Sequence, residues 1–406
     1  MRYRQIAAGL LTALAAAIGV VAPSRAATLH SQAATALALA EQRMSATATT
    51  LAPTSYPYYV DRSTGAWVTT DSSAWTSGFF PGSLWLLYQA THHKVFAAEA
   101  KTWQAGIEGQ DTNTSTQDLS FMLYSSFGNG YRLTKNRAYR KVLLTAAASL
   151  ATRYSSTVGA VRAWKARDSS PFIVIVDGLM DMQLLLWAGK HGGGPSYTTM
   201  ALNDGLTVAR DFVRADGSTT HQINYDPDTG AIDKELDPGG PGTTWARGQA
   251  WAIYGFTMIY SYTHDLRMLA AAQQVANYWD ANVPADGVPY WEFDPPDVTT
   301  APLDSSAAAV AAAGLLQLAG FTTDPTLKST YQSVSDTTLK TLTSPSFLSS
   351  GTNSAALLLH GTQCAPCDED AATADTGLSW GDYYLLQALL RWDPNLAPAQ
   401  TARSRH

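Results

Sequence analysis

Apolar residues recur along most of this chain at three- and four-residue intervals, the period that places side chains on one face of a helix. The pattern predicts helices near 30–48, 79–91, 95–107, 118–132, 136–153, 178–189, 198–213, 246–262, 266–280, 305–318, 326–342 and 379–391. Extended structure is expected only around Phe172–Val176, His221–Tyr225 and Val288–Phe293. Strands do not alternate with helices, which argues against a parallel α/β sheet and for an all-α fold. Loops are marked by Gly192-Gly193-Gly194, Asp237-Pro-Gly-Gly-Pro-Gly242 and Asp294-Pro-Pro296, none long enough to join two domains.

A weak internal repeat organises these helices. Tyr88-Gln-Ala-Thr91, Tyr131-Arg-Leu-Thr134 and Tyr260-Ser-Tyr-Thr263 each close a predicted helix and precede an Ala-rich one. The second spacing, 129 residues, is three times the first, 43 residues. Such a period suits helical hairpins, either closed into a double-layered ring or stacked as an open solenoid.

The N-terminus reads differently. Arg2 and Arg4 precede an apolar run from Ile6 to Ala22, and Pro23-Ser-Arg-Ala26 supplies small residues for cleavage. These are the parts of a secretory signal over residues 1–26, leaving one domain over 27–406 with a short polar C-terminal tail. The run is short for a membrane span and no second one follows, so no membrane association is expected after cleavage. With formal charge −6 and no Lys/Arg cluster, a nucleic-acid surface is not expected. The only cysteines, Cys364 and Cys367, predict a small local disulfide in an exported protein. A redox dithiol lacks its strand-helix context and a zinc site its second ligand pair, so neither metal nor cofactor is expected.

Twelve Trp and nineteen Tyr suit a carbohydrate cleft or a large helical core. In Trp245-Ala-Arg-Gly-Gln-Ala-Trp251, Arg247 and Trp251 share a helix face, as a fork for a sugar carboxylate beside a plate for the pyranose ring would require. A core Arg–Trp stack has the same spacing. Gln249 falls on another face, where packing is its expected duty. Asp177 emerges from Phe172-Ile-Val-Ile-Val176, and burial there would raise its pKa and let it serve as an acid. Asp118 opens another apolar helix; helix capping is the alternative for both. Asp304-Ser-Ser306 reads as a helix cap, and no Gly-x-Ser-x-Gly motif supports a serine triad.

Taken in order, several blocks resemble the unsaturated glucuronyl hydrolases, glycoside hydrolase family 88. They are Trp75-Thr-Ser-Gly-Phe-Phe-Pro-Gly-Ser-Leu-Trp85, Asp118-Leu-Ser-Phe-Met122 with Ser126-Phe-Gly-Asn-Gly-Tyr-Arg132, and Ile175-Val-Asp-Gly-Leu-Met180. Asp216-Gly-Ser-Thr-Thr-His221, Trp245–Trp251, Pro289-Tyr-Trp291, Asp304-Ser-Ser306 and Gly381-Asp-Tyr-Tyr384 follow. The resemblance implies an (α/α)6 six-hairpin double barrel and removal of a 4,5-unsaturated uronic acid from the non-reducing end of lyase-generated oligosaccharides. It implies hydration of the enol ether, with Asp177 as acid and base and Asp118 as second carboxylate. Arg247, Trp251 and Trp75 are the implied sugar contacts, and a monomer is expected.

Several positions depart from the family pattern. Gln117 stands where many relatives have His, and Leu303 where an Arg commonly precedes Asp-Ser-Ser. Counting from Phe212-Val213-Arg214 places Asp204 at an active-site His position, and counting from Arg247 places Asp237 at that of a Gln. Both are expected to touch substrate and, if near Asp177, to raise its pKa. His221 matches a family position and is expected to make a structural or substrate-side hydrogen bond. Two other functions fit the same barrel: an inverting glycosidase for saturated uronides, and a sugar-acid binder that has lost catalysis.

Overall fold

The computed structural model describes residues 25–164, 170–365 and 371–397. Its helices follow the apolar period: α1 (Arg25–Thr50), α2 (Phe79–Thr91), α3 (Lys94–Ala105), α4 (Asn129–Thr134), α5 (Arg137–Ala151) and α6 (Met182–Lys190). They continue with α7 (Pro195–Asp211), α8 (Ala246–Thr263), α9 (Leu266–Asn282), α10 (Ser305–Phe321), α11 (Pro325–Leu342) and α12 (Ser379–Trp392). The helix expected over 118–132 is a π-helical stretch, Ser120–Gly128, that runs directly into α4. Wide turns of this kind are rare and often lie at functional sites.

α2, the π-helix with α4, α6, α8, α10 and α12 each pack on the next and close into a ring. α1, α3, α5, α7, α9 and α11 surround it, giving the all-α (α/α)6 double barrel and not an open solenoid. An inner helix touches two ring neighbours and the outer layer, so it has little use for a polar stripe. Every residue of α10 from Ser305 to Leu315 is accordingly buried. In the outer α11 only Tyr331, Ser335, Thr338, Leu339 and Leu342 are buried, the stripe of a helix wet on one side.

The internal repeat is the turn from inner to outer layer. Thr91, Thr134 and Thr263 each donate a hydroxyl back to the carbonyl four residues earlier and accept the amide two residues later. The intervening His92, Lys135 and His264 take left-handed backbone conformations, and their amides bond Tyr88, Tyr131 and Tyr260 carbonyls. Three similar caps at three inner-helix ends account for a signal too local to extend through the helices.

Short strands decorate one end. Phe172–Ile175 and Gln222–Tyr225 pair antiparallel as expected, and Ile232–Leu236 adds a third strand that the pattern did not predict. The segment expected to extend over 288–293 makes only isolated bridges, Tyr290 to Leu303 and Trp245 to Glu292. Among the described residues no helix is long and apolar enough to cross a membrane. The predicted signal, apart from Arg25 and Ala26, lies outside the described residues. Cys364 is disulfide-bonded; Cys367, the chain's other cysteine, lies outside the described residues.

Candidate active site

The N-terminal ends of the inner helices meet at one mouth of the barrel. Trp75, just before α2, packs on Phe79, Phe121 and Trp380, the last at 4.8 Å between ring centroids. A Cβ at Gly78 would meet the carbonyl oxygens of Met122 and Phe121 at 2.1 and 2.3 Å, so only glycine lets α2 start against the π-helix. Trp75 itself stays partly exposed, as a wall for a sugar must. Helix N-termini carry positive potential, so their convergence favours anionic groups here. At the opposite mouth a cavity of about 240 Å³ contains Arg132 and Arg391, which lie in the last turns of α4 and α12 where cations offset the negative helix ends.

Asp177 stands in a tight 3-10 turn, Val176–Met180, at the end of the Phe172–Ile175 strand. Its side chain caps no helix, and the cap position belongs to Ile175. The neighbouring strand delivers His221, whose carbonyl accepts from the Val176 amide at 3.0 Å. Its Nε2 consequently lies 3.5 Å from Asp177 Oδ2. Burial raises the Asp177 pKa to about 6, against the opposing charge of Arg247 and the indole N–H of Trp251. Burial pushes His221 down to about 4, which leaves a neutral imidazole beside a carboxyl poised near neutrality.

Asp118 is held just ahead of the π-helix. It accepts from the Thr116 hydroxyl at 2.7 Å and from Gln117 Nε2 at 2.8 Å. Gln117 is buried, and its Oε1 accepts the Trp164 amide at 2.9 Å, tying the exposed Trp164 to the carboxylate. Burial raises Asp118 to about 6, helped by the negative charge of Asp177 and opposed by the Thr116 bond. The cap suspected of Asp118 is made instead by Asp181, whose Oδ1 accepts the Ser120 amide at 2.8 Å. Asp304 behaves as expected, accepting from the Ser306 and Ala307 amides.

The Arg247 guanidinium, expected as a carboxylate clamp, bonds within the protein through Nη1 and Nη2, while its Nε has no hydrogen-bond partner there. Nη1 donates to Asp304 Oδ2 at 3.0 Å and to the Thr362 carbonyl at 2.6 Å, and Nη2 to the Gln363 carbonyl at 2.7 Å. The guanidinium is buried and stacked between Trp245 and Trp380. Trp251 has no exposed surface and cannot plate a sugar; it packs on Phe121 and Tyr384. Both residues therefore reach the site electrostatically, through a positive charge and an indole N–H near Asp177. Gln249 is a packing residue, bonded to Thr219 and to the carbonyls of Gly217 and Val275.

Two expected substrate contacts lie behind the site. Asp237 is taken by the Arg214 guanidinium at 2.9 Å and by the His221 amide at 2.8 Å, so it acts on the position of His221. Asp204 belongs to the outer helix α7 and accepts the Val161 amide at 2.8 Å. Its charge affects Asp181 and is not among the influences on Asp177. Strand pairing, by contrast, brings the motif residue His221 beside Asp177. His221 was visible as a motif residue, but its pairing partner was not. Asp181 carried one signal, its position four residues after Asp177.

Burial raises Asp204 to about 7, so the native state holds a proton that the unfolded chain releases near pH 4. Stability from this group is complete below about pH 4 and declines as pH rises to about 7. Asp204→Asn should leave turnover near that of the parent and make the protein more stable at pH 8, on the order of a few kcal/mol, with little gain at pH 4. Thermal unfolding at both values checks this; an equal change at both would refute it.

Residues 54–384 match the Glycosyl Hydrolase Family 88 model. The unsaturated glucuronyl hydrolase of Formosa agariphila is 38% identical over 79% of this chain and 80% of its own length. That of Bacillus sp. strain GL1 is 33% identical over 83% of this chain and 90% of its own. The crystal structure of an unsaturated glucuronyl hydrolase specific for heparin superposes with TM-score 0.84 at 35% identity, covering 90% of this chain and 97% of that one.

Proposed function

The chain belongs to glycosyl hydrolase family 88 and is a glycoside hydrolase that removes an unsaturated uronic acid from oligosaccharides; we propose that Asp177 does this by hydrating the ring double bond. Asp177 donates its proton to C4 of the C4=C5 enol ether, and the ring oxygen shares the positive charge left at C5. Water adds at C5 and returns a proton to Asp177. The hemiketal opens to a C5 ketone, and the C1 hemiacetal so formed expels the shortened glycan. One water is consumed and no carboxylate becomes covalently bound.

The observation that carries this reading is the setting of Asp177: partly exposed at the mouth, next to a neutral His221, with its pKa raised to about 6. An acid that must first hold a proton and then take one back works best when poised near the working pH. Asp118, braced by Thr116 and Gln117, supplies the second carboxyl that offsets positive charge at C5. His221 orients Asp177. Trp75 forms the aromatic wall, and the converging helix N-termini attract the uronate carboxylate.

A titration follows from the same two carboxyls. They interact, so their pKa values belong to the pair. The protonated acid is depleted about tenfold for each pH unit above the upper value. Turnover should therefore fall on the alkaline side from about pH 6, and a rate still rising at pH 8 would contradict Asp177 as proton donor.

The direct test follows the ultraviolet absorbance of lyase-generated unsaturated disaccharides and, in parallel, release from a saturated aryl glucuronide. Loss of the alkene without cleavage of the saturated uronide supports hydration. Cleavage of the saturated uronide alone would support a conventional glycosidase, and binding without turnover a degenerate one. We also infer export. Among the described side chains of α1 the first buried one is Leu29, three residues beyond the expected cleavage point. The mature enzyme then begins at residue 27, and we expect it to act as a monomer.

A further inference from the structure

Asp181 occupies the cap position of α6, yet its side chain makes no bond to that helix. It crosses instead to the neighbouring inner element, where Oδ1 accepts the Ser120 amide at 2.8 Å. Ser120 opens the π-helix and its preceding residue is Leu119, which has no side-chain oxygen to offer. The exposed amides of that helix start are therefore capped from outside. The two ends of this bond sit two residues from Asp118 and four from Asp177. Both turns are otherwise short: the Asp118 carbonyl accepts the Met122 amide, and the Gly178 carbonyl accepts the Asp181 amide.

We infer that Asp181 is a positioning residue that fixes the separation of the two catalytic carboxyls by tying the Asp118 turn to the Asp177 turn. The inference rests on the assignment of Asp118 and Asp177 as the reacting pair. Asp181 has no exposed surface, so it does not touch substrate, and its Oδ2 has no hydrogen-bond partner in the protein. Only the acceptor on Oδ1 is used. Asp118, Asp177 and Asp204 all bear on Asp181 with negative charge, and Arg153 lies within electrostatic reach as the nearby cation. Burial and the three acids raise its pKa well above the usual carboxylate value, which favours the neutral side chain. A neutral side chain with one carbonyl-type acceptor is what an asparagine also supplies.

Two substitutions test this on the full chain with an unsaturated disaccharide that the parent enzyme turns over. Asp181→Asn keeps the acceptor and the neutrality, and should retain kcat within about threefold with an unchanged pH profile. Asp181→Ala frees the Asp118 turn and should lower kcat about a hundredfold while KM moves less than about threefold, the cost of a misplacement near 1 Å. An alanine variant with parental kcat would overturn the inference, as would an asparagine variant that loses more than about tenfold. The asparagine arm decides the matter even if the alanine variant does not fold. Failure of the parent to consume any unsaturated substrate would instead bear on the assignment of the reacting pair.

Discussion

Asp177→Asn should lower kcat by about a thousandfold, within the range that removal of a positioned acid-base group produces. The amide has no acidic proton to give to C4 and cannot take one back from the attacking water. Substrate binding should change much less, because the charge of Arg247 and the wall at Trp75 remain. The fold should also remain. The Asp177 side chain caps no helix, and an isosteric amide can still face His221 Nε2 and the Trp251 indole N–H. At pH 8 the variant should be at least as stable as the parent, since a carboxyl whose folded pKa is raised to about 6 destabilises the native state once ionised. Steady-state kinetics with thermal unfolding separate the two effects. Residual kcat above about a tenth of the parent value would remove Asp177 from the proton-transfer role.

Arg247→Met should produce the largest loss of stability, about 3–5 kcal/mol, because it strands a buried partner. Asp304 would lose the guanidinium paired with it, and the Thr362 and Gln363 carbonyls would lose its donors in one step. This is a large part of the 5–15 kcal/mol that separates typical folded and unfolded domains. Arg247→Lys should recover only part of it, since an ammonium cannot reproduce a planar fork that serves three acceptors. If Arg247→Met folds, the alkaline limb of its turnover profile should also move upward, because the charge of Arg247 lowers the Asp177 pKa. Urea unfolding measures the first effect. A change below about 1 kcal/mol would mean that the pair is as weak as one at the surface.

The frame was legible because helix burial is written in the periodicity, most clearly in outer helices such as α11. Inner helices such as α10 show length and apolarity but no face, so periodicity alone does not distinguish a closed ring from an open stack. The apolar composition after Asp118 fits either an ordinary or a π-helical winding, so the sequence predicts only a helix there. At the site, the two acids stood out by their apolar flanks. What the sequence could not convey was direction: Arg247 and Trp251 share a face, but that face turns inward to Asp304, Phe121 and Tyr384. Asp204 and Asp237 were reached by counting across loops, and counting fails wherever a loop changes length. His221 and Asp181 depend on a strand pairing and a cross-helix cap, contacts between segments that no local pattern encodes.

On the hydration route, bond cleavage follows from hydration of the alkene and not from attack at the glycosidic carbon. An unsaturated uronide in which a methylene replaces the glycosidic oxygen separates the two, because its aglycone cannot leave. The hydration route predicts that the enzyme still abolishes the alkene absorbance of this analogue, and that Asp177→Asn does not. An analogue that binds with its absorbance unchanged, while the oxygen-linked parent is cleaved, would contradict the account.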